Sequence, residues 1–367
     1  LRVSQFGTEG YRKNSNFSTK NFGLQTELKF TPKSVVIFGG NYHVDNFGLP
    51  GYINENDWEN DNLTTTYAPE DNAKNEDIYG DLLLKSELGK IGNSESELFW
   101  RRRSADTQWE SWNWSDNRNI YTFGISQRLF REESIFGKKN HLTTGTEFYK
   151  SNQEIKDKFK KTIITRNSLA LYFDDRFSLT DVLLLNFGMR GENTEYKYED
   201  SNLNEDRSFH PLFAWKLGLG LFYSEHSNLF LNLGTSFRLP KTDEYYKFNP
   251  ATFEVTGWNK SLKPQESVSI DLSIKHFFSQ ILSFNLTIYR KDITNEIYYN
   301  PYTWSNENYE KTLHRGIETE TTFTPVKNFT TTLNYSFTQA KFVEGSFADK
   351  EIPAVPKHKA TISMNFN

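Results

Sequence analysis

Residues able to make or break covalent bonds are plentiful in this chain, yet their spacing assembles no reaction centre. Seven histidines (His43, His141, His210, His226, His276, His314 and His358) stand far apart, with no interval that suits a metal ion. Each reads as a solvated loop or rim side chain. The 47 Asp and Glu residues are spread so evenly that no two of them stand out as an acid–base couple. Cys is absent, which excludes disulfides and thiolate metal sites. The glycine-rich patterns that cradle phosphate or present a nucleophile do not occur. Gly218 and Gly220 fall on the polar face of a strand, where they let a lumenal side chain or an inner domain approach closely. Neither a reaction nor a cofactor is expected.

Binding chemistry is better represented. Arg101, Arg102 and Arg103 end one strand-like run. They suit the phosphates of lipopolysaccharide or another anionic ligand, and they equally suit a solvated rim whose long side chains snorkel. Large aromatics crowd the polar loops: Tyr52, Trp58, Trp109, Trp112, Trp114, Tyr245, Tyr246, Trp258, Tyr302 and Trp304. Rings on loops above a rigid scaffold suit ligand capture, or they pack on one another to order the loops. A net charge of −4 with both signs mixed throughout argues against nucleic acid as a partner.

The elements that must carry these loops are strands. Between Glu266 and Arg290, Val268, Ile270, Leu272 and Ile274 alternate with polar residues, and after a short break Leu282, Phe284, Leu286 and Ile288 repeat the pattern. Period two puts one apolar and one polar face on this hairpin. The same alternation recurs along the chain, about sixteen times, in runs of about 9–11 residues. Hydrophobic content is only 36%, the mean hydropathy is −0.70, and no apolar run approaches a membrane-spanning helix. Aromatics at 16% nevertheless exclude a disordered chain.

A hairpin of this kind belongs either in a soluble sandwich with its apolar face inward, or in a membrane barrel with that face toward lipid. The connections decide between them. Short turns, such as 31–34, 179–181 and 325–328, alternate with long polar excursions, such as 45–75, 104–117, 151–161, 239–264 and 300–309. In an antiparallel meander every second connection lies on the same edge, so tight turns take one rim and large loops the other. An outer-membrane barrel has that asymmetry, and a sandwich has no reason for it. Phe30, Phe130, Phe177, Tyr223, Phe277 and Phe323 sit beside short turns, where an interfacial girdle would lie.

Several stretches then resemble one family, the TonB-dependent outer-membrane receptors. Gly234–Pro240 (GTSFRLP) followed by Asp243 and Glu244 is similar to that family's "sFR-P…dEl" segment. Asn259–Ser267, Tyr289–Asn295 (YRKDITN), Gly316–Glu318, Asn334–Ser336 and Ile352–His358 resemble later segments in the family's order, and Leu171–Asp175 with Asn186–Arg190 and Glu192 resemble an earlier strand pair. Lys260 and Gln265 depart from the common residues. The likeness spans 169–358; before about 165 only the rhythm matches.

The resemblance implies an all-β, antiparallel transmembrane barrel of about 22 strands, of which residues 1–367 would be one barrel segment without the plug domain. It implies active uptake of a scarce small ligand, of the iron–siderophore, haem or cobalamin type, with TonB acting through the plug, in an outer membrane of lipid and lipopolysaccharide. Among lumen and loop residues, Arg190, Arg238, Glu244, Tyr245, Tyr246, Trp258 and Trp304 are the expected contacts for ligand or plug. Three other readings are a passive sixteen-stranded porin, a structural or adhesive β-protein and an outer-membrane enzyme.

Overall fold

The computed structural model describes every residue except 158–159, 202, 210, 250–254, 301 and 367, and at 246, 248, 255 and 256 it describes the backbone alone. Nineteen strands follow in order: β1 (Arg2–Thr8), β2 (Phe17–Thr31), β3 (Ser34–Gly48), β4 (Asn72–Glu87), β5 (Asn93–Trp109), β6 (Trp114–Ile135), β7 (Lys138–Lys156), β8 (Lys161–Ser178), β9 (Leu183–Glu199), β10 (Asn204–Ser208), β11 (Leu212–Phe222), β12 (Asn228–Arg238), β13 (Tyr246–Phe248), β14 (Val255–Trp258), β15 (Gln265–Ser279), β16 (Leu282–Asn300), β17 (Ser305–Val326), β18 (Phe329–Phe342) and β19 (His358–Phe366). One short helix, α1 (Glu55–Glu59), interrupts them.

Sixteen strands make one antiparallel meander. Each pairs with the next from β1 to β9. The wall continues β9–β11–β12–β15 and then runs in sequence to β19. The three others lie outside it: β10 folds back on the far end of β9, and β13 and β14 belong to the excursion between β12 and β15. Among the described residues no ladder joins β1 to β19, and both of these edge strands are exposed along their length.

Register turns the sequence alternation into a continuous surface. Phe177, Leu185, Leu219, Leu231, Leu272, Ile288, Ile317 and Phe337 stand directly opposite one another across eight strands. Nothing among the described residues covers that row: Leu219 is 40% and Leu231 41% exposed. Burying such a side chain is worth about 1.5–3 kcal/mol, so dozens of them facing water would be prohibitive. The cover must come from outside the chain, and hydrocarbon fits. A sandwich would bury this row between two sheets, and no second sheet is present among the described residues.

The polar face is the concave one. Its side chains reach partners two strands away, which only an inward-curving wall allows. Phe99 of β5 lies 5.9 Å from Tyr149 of β7, Arg128 Nε of β6 donates to Tyr172 Oη of β8 at 3.1 Å, and Tyr289 of β16 meets Thr338 of β18 at 3.2 Å. A glycine of the strand between marks each crossing. A Cβ on Gly124 would lie 2.2 Å from the Phe99 ring, and one on Gly316 would lie 2.8 Å from Tyr289 Oη. The bare backbone lets the bridging ring lie flat against the sheet.

Two expectations need correction. The strands were expected to run about 9–11 residues, the length of one tilted crossing, but β6 and β17 run 22 residues and β5 runs 17. The stretches 104–117, 151–161 and 300–309, expected as loops, are largely ladder. Pairing continues to Trp109↔Trp114, Lys156↔Lys161 and Asn300↔Ser305. Interstrand hydrogen bonds need no apolar face, so the ladder continues past the membrane while the alternation that reveals it stops. The asymmetry of the rims survives in altered form: one rim closes in tight turns such as 32–33, 136–137 and 280–281, and the other carries long arms. Of the girdle aromatics, Phe177 and Phe323 lie on the outer face, whereas Phe130 shares the lumen face with Arg128, whose guanidinium sits 5.7 Å over its ring.

Candidate ligand-binding mouth

At the long-armed rim the first three excursions lock into one body. Arg12, between β1 and β2, donates to the carbonyls of Gly51 (2.8 Å), Pro50 (3.1 Å) and Thr65 (3.0 Å) in the next excursion. Asn14 Nδ2 reaches the carbonyls of Ala68 and Asp71 in the same segment. Asn54 caps α1 by accepting from the Asp57 amide at 2.8 Å, and the buried Asp57 carboxylate accepts from Asn62 and the Tyr67 hydroxyl. Asp71, also buried, accepts from the amide (2.8 Å) and hydroxyl (2.6 Å) of Ser111 at the tip of the β5–β6 hairpin. Bonds to charged groups are worth about 1.5–3 kcal/mol each, so the three segments are held without a large core. On this body Tyr52 (68% exposed), Trp58 (69%) and Trp112 (68%) face solvent, with Tyr52 stacked on Tyr67 at 6.0 Å.

The second feature is a packed core above the membrane. In β9 the outward side chains change from Leu183, Leu185, Phe187 and Met189 to Asn193, Glu195, Lys197 and Glu199, while the inward ones change from Asn186 and Gly188 to Tyr196 and Tyr198. Polarity inverts across the wall near Gly191, and there the ladder leaves lipid. Ile155, Ile164, Tyr196 and Tyr198 form the wall side of the core; Tyr245, Trp258 and Leu262 come from the 239–264 excursion, and Ile297 from β16. Tyr196 packs 4.9 Å from Tyr245, and Trp258 packs 5.6 Å from Tyr198 and 5.7 Å from Tyr245. Tyr196 Oη donates to the Pro240 carbonyl at 2.6 Å. Across the mouth, Asn259 Nδ2 donates to the Asn306 carbonyl at 2.6 Å, and Lys247 pairs with Ser305 of β17. The excursion therefore spans from β8–β9 to β16–β17.

The structure brings several of the expected site residues together around this core. Arg190 faces the lumen and donates to Glu147 (2.9 Å) and Glu192 (3.1 Å). Glu192 also accepts from Arg166 at 3.1 Å, and Arg166 lies 5.8 Å over the Tyr196 ring. Arg238 holds both oxygens of Glu244 at 2.8 Å, and Glu244 Oε2 accepts from the Lys241 amide at 2.7 Å. Tyr245 is fully buried and Trp258 is 5% exposed, so both are core side chains in this conformation. The side chain of Tyr246 lies outside the described residues. Trp304 is half-buried at the β16–β17 tip with a left-handed φ of 51°.

Tyr196, Tyr198 and Glu205 were not anticipated. Glu205 Oε2 accepts from Trp258 Nε1 at 2.8 Å and its other oxygen pairs with Lys260; these bonds, Lys260 first, hold its carboxyl below the usual range. The signal for the two tyrosines was the run Glu195-Tyr196-Lys197-Tyr198-Glu199, which alternates with the opposite sense to the band below it.

Chemically, the mouth offers ring faces and neutral hydroxyls. Burial pushes Tyr196 up to about 12, and it raises Tyr198 and Tyr245 as well. All three stay protonated at neutral pH and act as packing groups rather than as bases; Tyr196 and Tyr198 also donate hydrogen bonds, to the Pro240 carbonyl and to Asp200. No cluster of three or more potential metal ligands occurs among the described residues.

Comparison with known proteins agrees with this geometry. The family profile described as TonB dependent receptor-like, beta-barrel matches residues 2–367. The vitamin B12 transporter BtuB of Vibrio vulnificus (strain YJ016) is 27% identical over 124 residues, which are 33% of this chain and 19% of that transporter. Among solved structures, the unliganded ferric citrate transporter FecA superposes with a TM-score of 0.81 at 16% identity, covering 97% of this chain and 56% of FecA. The ferric yersiniabactin uptake receptor FyuA of Yersinia pestis superposes with a TM-score of 0.74 at 13% identity, covering 99% of this chain and 60% of FyuA. The chain thus spans less than two thirds of each of these proteins, and at such identities the two superpositions speak for the fold.

Proposed function

The chain belongs to the TonB-dependent receptor-like β-barrel family, and from that membership we propose that it is the wall of an outer-membrane receptor for active uptake of a scarce small ligand. One observation carries the reading: an uncovered apolar band lies below a rim whose excursions are locked together and present solvent-facing aromatic rings. Such rings bind planar or apolar cargo without covalent chemistry. The described relatives carry vitamin B12, ferric citrate and ferric yersiniabactin, which supports an iron–siderophore, haem or cobalamin type of cargo here. Energy would reach the ligand from TonB through a plug domain that this wall surrounds, and Arg190 with its carboxylates is the wall feature best placed to meet such a plug. A passive sixteen-strand pore would need a ladder between β1 and β19, and none exists among the described residues.

The test is uptake by cells expressing the full-length protein, with labelled ferric citrate, a ferric catecholate, haemin and cyanocobalamin as probes. One of these should accumulate, and accumulation should stop when a protonophore collapses the proton gradient. In the receptor carrying Trp58→Ala and Trp112→Ala, affinity for that probe should fall about tenfold or more, since an aromatic anchor is worth about 1–2 kcal/mol. Accumulation that persists undiminished with the protonophore would mean a passive pore.

A further inference from the structure

The outer face changes character at one height. In β2 and β3 the last aromatic pair is Phe22↔Tyr42, and the next outward pair is Lys20↔Val44. In β5 and β6, Trp100↔Phe123 is followed by Arg102↔Tyr121, with Lys150 of β7 opposite Phe123. In β16 and β17, Ile288↔Ile317 is followed by Arg290↔Arg315, two like charges placed directly opposite each other. Cross-strand like charges destabilise a sheet unless something of opposite sign joins them.

These outward cations differ from the lumenal ones. Arg101, Arg118, Arg128, Arg166 and Arg190 on the inner face each hold a carboxylate. Of the outward set, Arg290 is held by Asp292 at 2.8 Å, whereas Lys20, Arg102, Lys150 and Arg315 have no carboxylate partner among the described residues. Arg315 donates to the Gln339 side chain at 2.8 Å. Arg102 donates to Asn119 at 3.2 Å and lies 6.0 Å over the Tyr121 ring, and its Nε–H is buried with no acceptor.

We infer that the Arg102–Lys150 patch and the Arg290–Arg315 pair bind the phosphate groups of a membrane lipid in the leaflet on the long-armed side. A guanidinium fork matches two phosphate oxygens, and Lys150 adds a point charge. The acyl chains of the same lipid would lie on the aliphatic rows directly below. Height identifies the ligand: one pair beyond the last apolar pair is where headgroups sit. The inference rests on the membrane-spanning reading of the apolar band.

The full-length receptor, placed in nanodiscs of phosphatidylcholine with and without diphosphoryl lipid A, gives the test, with retained lipid counted by native mass spectrometry after detergent release. The wild type should retain diphosphoryl lipid A, and inorganic phosphate should not displace it. The Arg102→Gln/Lys150→Gln variant and the Arg315→Gln variant should each lose the lipid held by its own patch, and the variant carrying all three substitutions should retain about tenfold less, the loss expected for charge-assisted bonds. Equal retention in wild type and variants, or equal retention of a fully dephosphorylated lipid A, would overturn the inference. Displacement by inorganic phosphate would make the patches simple anion sites and would overturn the lipid assignment. Failure to enter nanodiscs at all would strike at the membrane reading instead.

Discussion

Leu219→Arg should lower the stability of the protein in a bilayer by about 2–4 kcal/mol, the cost of placing a guanidinium on the lipid face near the midplane. Leu219 is the choice because it stands inside the eight-strand aliphatic row, with Leu185 on one side and Leu231 on the other. Leucines above and below it, Leu217 and Leu221, leave an arginine no short path to water. The matched control is Asn232→Arg, on the opposite face one position from Leu231. Asn232 is exposed and already donates to Asp271 at 2.8 Å, so a cation there gains a carboxylate and stays in water. Its cost should be well under half that of Leu219→Arg. Urea unfolding from phospholipid vesicles measures both, and equal costs would mean that the two faces see the same solvent.

Trp258→Ala should free the 239–264 excursion while leaving the wall intact. The indole is 5% exposed, packs on Tyr198 and Tyr245, and donates to Glu205. Truncating a buried Trp typically costs about 3–5 kcal/mol, and here the loss falls on an excursion that lies outside the continuous ladder of the wall. Segments of this kind open locally without global unfolding. Limited proteolysis should therefore cut within 239–264 at least about tenfold faster, with the unfolding midpoint of the strands unmoved. Trp258→Phe, which keeps the ring contact and loses only the bond to Glu205, should fall between. Cleavage rates identical to wild type would show that the aromatic core does not hold the excursion down.

What the sequence disclosed, and what it hid, follows from where water is. Within the membrane one face meets lipid and the other meets the lumen, so Val268, Ile270 and Leu272 alternate cleanly with Ser269 and Asp271, and the strands could be read with their partners. Beyond the membrane both faces meet water or other protein, and the alternation either disappears or reverses. Trp109 to Trp114 looked like a loop because nothing in its composition reports a continuing ladder. Tyr196 and Tyr198 were passed over because their alternation has the opposite sense to that of Leu183 to Met189, although that reversal was itself the mark of the boundary.

The site was legible as a list of residue types more than as an arrangement. Arg238 and Glu244, six residues apart, proved to be partners of each other, a contact that any flexible link of that length permits and none requires. Trp258 and Tyr245 were noticed for their size, but whether a loop ring faces a ligand or a core depends on segments distant in sequence, here β8 and β9. Nothing in the sequence marks Arg12, because it bonds backbone carbonyls some forty to fifty residues further on, and carbonyls leave no trace in composition.

The central claim is that alternate side chains of one sheet face lipid and water. Because residues 1–367 contain no Cys, single substitutions Leu231→Cys and Asn232→Cys, each labelled with the same environment-sensitive fluorophore in reconstituted protein, test it without background from the wall itself. Strong quenching by bromolipids and little by aqueous iodide is expected at 231, with the reverse at 232. Similar quenching at both positions, or bromolipid quenching confined to 232, would contradict it.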